Sequence, residues 1–319
     1  MSKFTRRSAL GAALAPAVAR AQAWPTRPIS WIVPFTPGGI TDTSSRLVAQ
    51  PLGALLGQQV VVENRPGAGG GIGTEAAARA APDGYTMLYG TQGTMATNPV
   101  LYRNIRYEAM RDFVPVHGLT LTPLLLVANP DRPFKDVASL IAYAKARPGE
   151  VTYSSSGIGT GCICRPSCSS SRPGFTHVPY QGSAPGLNDL VAGRTDIMFD
   201  YLVATRAFLE AGRLRPLATT GGTRLAALPE VPTMAEAGLS GAQNSSWSAI
   251  MLQAATPAPI VNKMAEALSK VLAEPRVAQT LMGTGSMPLM RMGEPLRTFV
   301  AEEVVRWRAV VERSGARVG

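Results

Sequence analysis

Short apolar runs alternate with amphipathic stretches along most of this chain. Runs at 29–33, 59–63 and 85–89 have strand length, and the stretches at 44–56 and 72–80 between them have helical spacing. Strands alternating with helices predict parallel α/β layers. The apolar run 124–129 is read as crossing into a second domain. There the pattern predicts strands at 152–154, 176–179, 196–199 and 214–219, and helices at 137–145, 184–192 and 203–211, with a short helix at 234–237. Apolar 247–252 returns the chain to the first domain. Helices are expected at 260–272, 275–282 and 295–313, the last packing Phe299, Val300, Val304, Trp307 and Val311 on the first domain. The expected fold class is therefore α/β, in two domains: 24–123 plus 246–319, and 124–245.

The punctuation between these elements carries the chemistry. Pro34-Phe35-Thr36-Pro37-Gly38-Gly39-Ile40-Thr41-Asp42 follows the first strand and precedes the first helix. Glycine lets the backbone approach a guest closely, and a helix N-terminus presents free N–H groups that favour negative charge. A strand, glycine turn and helix in that order make an anion site from main chain. The same design recurs at Asn64-Arg65-Pro66-Gly67-Ala68-Gly69-Gly70-Gly71, at Gly90-Thr91-Gln92-Gly93-Thr94 and at Ser154-Ser155-Ser156-Gly157-Ile158-Gly159-Thr160. All lie at strand carboxyl ends, where open α/β sheets bind ligands.

Composition narrows the class. The chain has 319 residues, 45% of them hydrophobic, and a formal net charge of +10. Residues 1–23 read as an export signal: a basic start, an apolar stretch, and Ala21-Gln22-Ala23 as a cleavage site. Arg6-Arg7 is a twin-arginine pattern, which ordinary export signals also carry. Lys3, Arg6, Arg7 and Arg20 carry four of the ten excess charges, so the exported chain keeps +6. That excess is spread out, without the clustered basic and aromatic strip of a nucleic-acid surface. No later apolar run reaches the ~18 residues of a membrane span. A soluble, monomeric, periplasmic protein is the expectation. An exported hydrolase is disfavoured because no Gly-x-Ser-x-Gly elbow is present and neither His117 nor His177 has a nucleophile beside it in the sequence.

Several strings together resemble the Bug/TctC extracytoplasmic solute receptors of tripartite tricarboxylate transport systems. They are Pro25-Thr26-Arg27-Pro28-Ile29, Val33-Pro34-Phe35-Thr36-Pro37-Gly38-Gly39, Val61-Val62-Glu63-Asn64-Arg65-Pro66-Gly67-Ala68-Gly69-Gly70, Ala81-Pro82-Asp83-Gly84-Tyr85-Thr86, His177-Val178-Pro179-Tyr180 and Val231-Pro232-Thr233-Met234-Ala235-Glu236-Ala237-Gly238-Leu239. The resemblance implies a periplasmic binding protein type II-like fold. In it two α/β domains are joined by two crossing strands and close on a small organic carboxylate, which is delivered to membrane permease subunits. It implies no catalysis, no cofactor and no metal. Family ligands are held by main-chain N–H groups, small hydroxyls and waters. Carried onto this chain, that places Phe35, Thr36, Gly38, Gly39 and Asp42 in the first loop, with Thr91 and Gly93 in the third. From the second domain it places Ser155, Ser156, Gly157, Gly159, Thr160, Tyr180, Gly182 and Asp200. Asp42 is expected to hold its loop, and Asp200 to accept from a ligand or a bridging water. Where the family often has His in the third loop, this chain has Met95. A receptor that reports to a membrane sensor would share every one of these features.

One segment departs from that pattern. Residues 161–174 hold all three cysteines, Cys162, Cys164 and Cys168, where the family has a helix opening on a Leu-His-Leu pattern. Three thiols leave one unpaired, and no His or carboxylate stands beside them for zinc. One choice of codons for 161–170, shifted by two bases, reads LHLPAELFK. We read the segment as out-of-frame translation bounded by two compensating indels, which resequencing of the gene tests.

Overall fold

A computed structural model describes residues 24–155, 174–180 and 182–314. The chain opens with β1 (Ile29–Val33), α1 (Ile40–Leu56), β2 (Val60–Asn64), α2 (Gly71–Ala78) and β3 (Thr86–Thr91). Two short helices, α3 (Asn98–Leu101) and α4 (Ala109–Asp112), precede β4 (Phe113–Pro123). A second set follows: β5 (Leu125–Ala128), α5 (Val137–Ala146), β6 (Thr152–Ser155), β7 (Thr176–Pro179), α6 (Ser183–Val191), β8 (Ile197–Asp200), α7 (Leu202–Glu210) and β9 (Arg215–Thr219). The chain ends with β10 (Ser245–Gln253), α8 (Ala258–Ala273), α9 (Pro275–Gly283), β11 (Met287–Pro288) and α10 (Gly293–Ser314).

The strands form two sheets. The first has the order β11-β4-β10-β3-β1-β2 and the second β7-β6-β8-β5-β9. β1 is parallel to β2 and β3, and β6 is parallel to β7 and β8. The expected parallel layering holds for those strands, while β10 runs antiparallel to β3 and β4, and β5 antiparallel to β8 and β9. β4 and β5 are consecutive strands of different sheets, and β10 comes back from the second sheet, so neither is fed by a βαβ crossover.

The longest strand, β4, has no counterpart among the sequence expectations. It contains Pro115, His117, Gly118, Thr120 and Thr122, and it is buried along nearly its whole length, so it shows no period-2 alternation. Two register shifts against β10 accommodate these residues. Residues 234–237 form a hydrogen-bonded turn rather than a helix. α1 starts at Ile40, four residues ahead of the expected start, because the glycine pair caps it directly.

Apolar faces of the helices cover both faces of the first sheet. Trp31, Val48, Leu52, Met264, Leu268 and Val271 pack on one side. Ile32, Leu88, Trp247, Leu296, Val300 and Trp307 pack on the other, so the final helix docks on the first sheet as its apolar stripe predicts. The second sheet has its own two-sided core, with Leu126, Phe134, Leu140 and Tyr153 on one face and Leu125, Val127, Leu187 and Leu190 on the other.

Topology fixes which edges meet. β4 is parallel in direction to β3, because both are antiparallel to β10. It therefore leaves the first sheet at the edge where β1 and β3 end. It enters the second sheet at Leu125, which pairs with Asp200, the last residue of β8. The second crossing, between Asn244 and Ser245, lies beside the first through the pair Ser245 and Pro123. Both crossings thus join the carboxyl edge of one sheet to the carboxyl edge of the other.

Candidate functional site

Three glycine loops converge at the carboxyl edge of the first sheet. Gly39 caps α1 without any side-chain hydrogen bond, so the first turn keeps its amides for something else. The Asp42 carboxylate turns back on its own loop. It accepts from the Gly38 N–H at 2.9 Å and from Arg46 Nε at 3.0 Å. Burial pushes the Asp42 carboxyl up, but Arg46, the Gly38 N–H and Asn64 outweigh this and hold it below the usual carboxylate range. Asp42 is buried and shapes the loop, and the Gly38 amide is committed to it. Asn64 Nδ2 donates to the Phe35 carbonyl at 3.1 Å, which ties the second loop to the first.

At Gly70 the second loop touches both of the others. A Cβ there would lie 2.8 Å from Thr94 Cγ2 and 3.3 Å from both the Phe35 ring and the Pro34 carbonyl, and its φ of +92° favours glycine. The third loop is a π-turn, Gly93–Thr97, running into α3. Thr91 and Thr94 exchange bonds: the Thr91 N–H donates to Thr94 Oγ1 at 3.0 Å and the Thr94 N–H to Thr91 Oγ1 at 3.1 Å. Asn98 Nδ2 holds the Gly69 carbonyl at 2.8 Å. Asn64, Gly70, Thr94 and Asn98 are structural residues of the site that loop composition alone did not single out. Met95 is fully buried in the core of the first lobe.

The second sheet ends at Ser155, Pro179 and Asp200. Ser156, Gly157, Gly159 and Thr160, together with the cysteine segment, lie outside the described residues. Tyr180 donates its N–H to the Ser155 carbonyl at 3.0 Å and its hydroxyl to Asp189 Oδ2 at 2.7 Å. Burial and then Asp189 push the phenol up to about 12, so this hydroxyl is engaged and protonated. Gly182, at φ +121° and ψ 170°, caps α6 with no side-chain bond.

Ser155 Oγ lies 2.7 Å from His177 Nε2, and His117 Nε2 lies 2.9 Å from Ser269 Oγ. Each histidine therefore has in space a hydroxyl that is not beside it in the sequence. Parallel pairing of β6 with β7 brings the first pair together across 22 residues, which sequence spacing does not reveal. Burial holds both imidazoles below their usual value and hence neutral. No carboxylate among the described residues bonds either ring.

Asp200 stands apart. It is fully buried at the end of β8. Oδ1 accepts from Ser183 Oγ at 3.0 Å and from the Tyr201 N–H at 2.8 Å, while Oδ2 has no partner among the described residues. Burial drives its carboxyl up to about 6 despite those two donors.

Two α/β lobes, linked at facing strand edges that carry glycine loops, have the architecture of a periplasmic solute-binding protein. Residues 44–316 match the tripartite tricarboxylate transporter family receptor, TctC, and the chain belongs to that family. The protein BugT of Bordetella pertussis is 36% identical over 301 residues, 93% of this chain and 92% of BugT. The structure of R. palustris Rpa4515 with adipate superposes with a TM-score of 0.83 at 36% identity, covering 92% of this chain and 100% of that one. MatC (Rpa3494) from Rhodopseudomonas palustris with bound malate gives a TM-score of 0.75 at 32% identity, covering 90% and 100%. Family and fold are those of substrate-binding receptors, not of enzymes. Among the described residues, no helix is long and apolar enough to cross a membrane, and no group of three metal-ligating side chains occurs.

Proposed function

We propose that this chain is a periplasmic receptor that captures a small organic carboxylate between its lobes and hands it to the membrane subunits of a tripartite tricarboxylate transporter. One lobe comprises 24–123 plus 246–319 and the other 124–245. One observation carries the reading: both crossings join carboxyl strand edges. On this reading the start of α1, free of side-chain caps, and the ends of β6 and β8 are two sides of one ligand cleft. A carboxylate at the start of α1 would meet unpaired N–H groups and the positive end of the helix dipole. The Gly39 turn, Phe35, Thr36, Thr91 and Gly93 form the first lobe's share of the site. Ser155, Gly182 and Asp200 form the second lobe's share, with Ser156, Gly157, Gly159 and Thr160 beyond β6. Asp42 and Tyr180 act by holding loops.

The reading is supported by family relatives whose structures hold adipate and malate. It is tested by calorimetric titration of the exported chain, as a monomer, with adipate, malate, citrate and aspartate. Saturable one-to-one binding without turnover of at least one acid is expected. Heats no larger than dilution for all four, from a chain that melts cooperatively, would remove the carboxylate-receptor reading. Gene neighbours encoding a large and a small membrane subunit, with which the chain co-purifies, would distinguish transport from sensing.

A further inference from the structure

We propose that Thr220 is the pivot of lobe closure: a positioning residue that ties the two crossing segments into a single hinge. The inference rests on the reading above, in which ligand is held between the lobes. β4 and β10 run side by side as far as Pro123 and Ser245, and then part. Leu124 leads on into β5, while Asn244 arrives from the 3-10 turn Ser240–Ala242. Thr220, the first residue beyond β9, fills the gap between them.

It is fully buried, and its hydrogen-bonding groups divide evenly between the two crossings. Its N–H donates to the Leu124 carbonyl at 2.8 Å, and its hydroxyl accepts from the Leu124 N–H at 2.8 Å. The same hydroxyl donates to the Asn244 carbonyl at 2.5 Å, and the Thr220 carbonyl accepts from the Asn244 N–H at 2.7 Å. One oxygen therefore accepts from one crossing while donating to the other. Neither segment can turn alone without breaking a buried bond, which is costly where no water replaces it.

The first lobe grips the same point. Arg306 of α10 donates to Asn244 Oδ1 at 2.9 Å, and the Thr122 and Ser286 hydroxyls meet at 2.9 Å just ahead of the first crossing. Arg306 also pairs with Glu303 at 3.2 Å, and Glu303 accepts from the Trp247 indole N–H at 3.0 Å. Trp247 thus sits close to the pivot and supplies a fluorescence signal for its motion. All of these bonds to Thr220 are made by the main chain of Leu124 and Asn244. The pivot therefore depends on the identity of Thr220 and not on that of the residues it joins.

Valine keeps the branched shape of Thr220 and lacks the hydroxyl, while serine keeps the hydroxyl. The test compares wild type, Thr220→Val and Thr220→Ser by stopped-flow Trp fluorescence with adipate and malate as probes. Thr220→Val is expected to raise the dissociation rate roughly tenfold with association nearly unchanged, because a closed state is lost more readily while encounter is not altered. Thr220→Ser is expected to restore wild-type rates. A dissociation rate unchanged by valine overturns the proposal. So does an equal loss in both rates, or a failure of serine to restore them, because either assigns Thr220 a merely structural role. If Thr220→Val does not fold, Arg306→Gln loosens the same point from the exposed side, and dissociation as slow as in wild type overturns the proposal. If wild type binds neither acid, the receptor reading fails for those acids and the pivot is judged without ligand. Small-angle scattering of Thr220→Ser against a folded Thr220→Val or Arg306→Gln is then expected to show a broader interlobe distance distribution in the latter, and identical curves overturn the pivot.

Discussion

At the carboxyl edge of the first sheet the loops satisfy one another, whereas the second sheet's edge carries a buried carboxylate with one oxygen left bare. Asp42 holds Gly38, Asn64 holds Phe35, Thr91 and Thr94 hold each other, and Asn98 holds Gly69. That edge stands ready before any ligand arrives, which spares the ordering cost at binding. Asp200, by contrast, has among the described residues two donors on Oδ1 and none on Oδ2. A buried acceptor without a partner costs stability until a donor reaches it. On the proposed reading, the contrast would put the anionic end of a ligand at the first lobe, and a hydroxyl, ammonium or protonated end at the second.

The largest effect is expected where the first edge is most tightly closed. Gly70→Ala places a methyl group 2.8 Å from Thr94 in a backbone that alanine rarely adopts. It should cost roughly 3–4 kcal/mol, combining overpacking with left-handed strain. Denaturant unfolding measures it, and a loss below about 1 kcal/mol would show that the three loops yield to one another and are not preformed.

Asp200→Asn addresses the other edge. In the native state this carboxyl titrates at about 6, against 3.8 for an ordinary aspartate. Between those values the native protein holds a proton that the unfolded chain has released. Its contribution to stability therefore falls as pH rises through that window, by up to roughly 3 kcal/mol, and is constant above it. His117 and Asp42, both shifted down, act in the opposite sense: their stabilisation is lost as pH falls. The variant should gain stability relative to wild type as pH rises from about 4 to about 7, with little difference at the acid end. Parallel profiles for the two proteins would mean that Asp200 is charged and satisfied, and the contrast between the edges would vanish.

How much of this was legible in the sequence follows from which forces act locally. β1 and β7 carry short apolar or β-branched runs between turn residues, and their limits match the expected 29–33 and 176–179. The glycine loops were legible because proline and glycine constrain the backbone wherever they occur. β4 was not, since a strand buried on both faces and interrupted by Pro115 and Gly118 offers no period to read. Nor were the contacts that finish the site. Asn98 reaches Gly69 across 29 positions, His177 reaches Ser155 across 22, and Ser183 reaches Asp200 across 17. Only the register of the sheets brings them together. The bare oxygen of Asp200 has no sequence signature, because it is defined by what its neighbours do not supply.

The smallest effects come from deleting one hydroxyl at the last residue of a strand in each lobe. Thr91→Val removes the acceptor of the Thr94 N–H in the preformed edge, while Ser155→Ala removes a single bond to a neutral histidine. Each should cost about 1 kcal/mol of stability, the usual net worth of a buried hydrogen bond. Their effects on ligand should differ. With its third loop loosened, Thr91→Val is expected to weaken adipate or malate binding severalfold, because the anion site must now be ordered at the moment of capture. Ser155→Ala frees His177 Nε2 and should raise the pH at which that ring protonates only slightly, since burial is the cause that holds it down. As Ser155 offers the ligand one neutral hydroxyl rather than an anion site, its loss is expected to weaken binding only about twofold, less than Thr91→Val does. Titration calorimetry on the two variants decides the matter. Equal losses of affinity would place the ligand's charge against both edges alike, and a larger loss in Ser155→Ala would reverse the assignment of its anionic end.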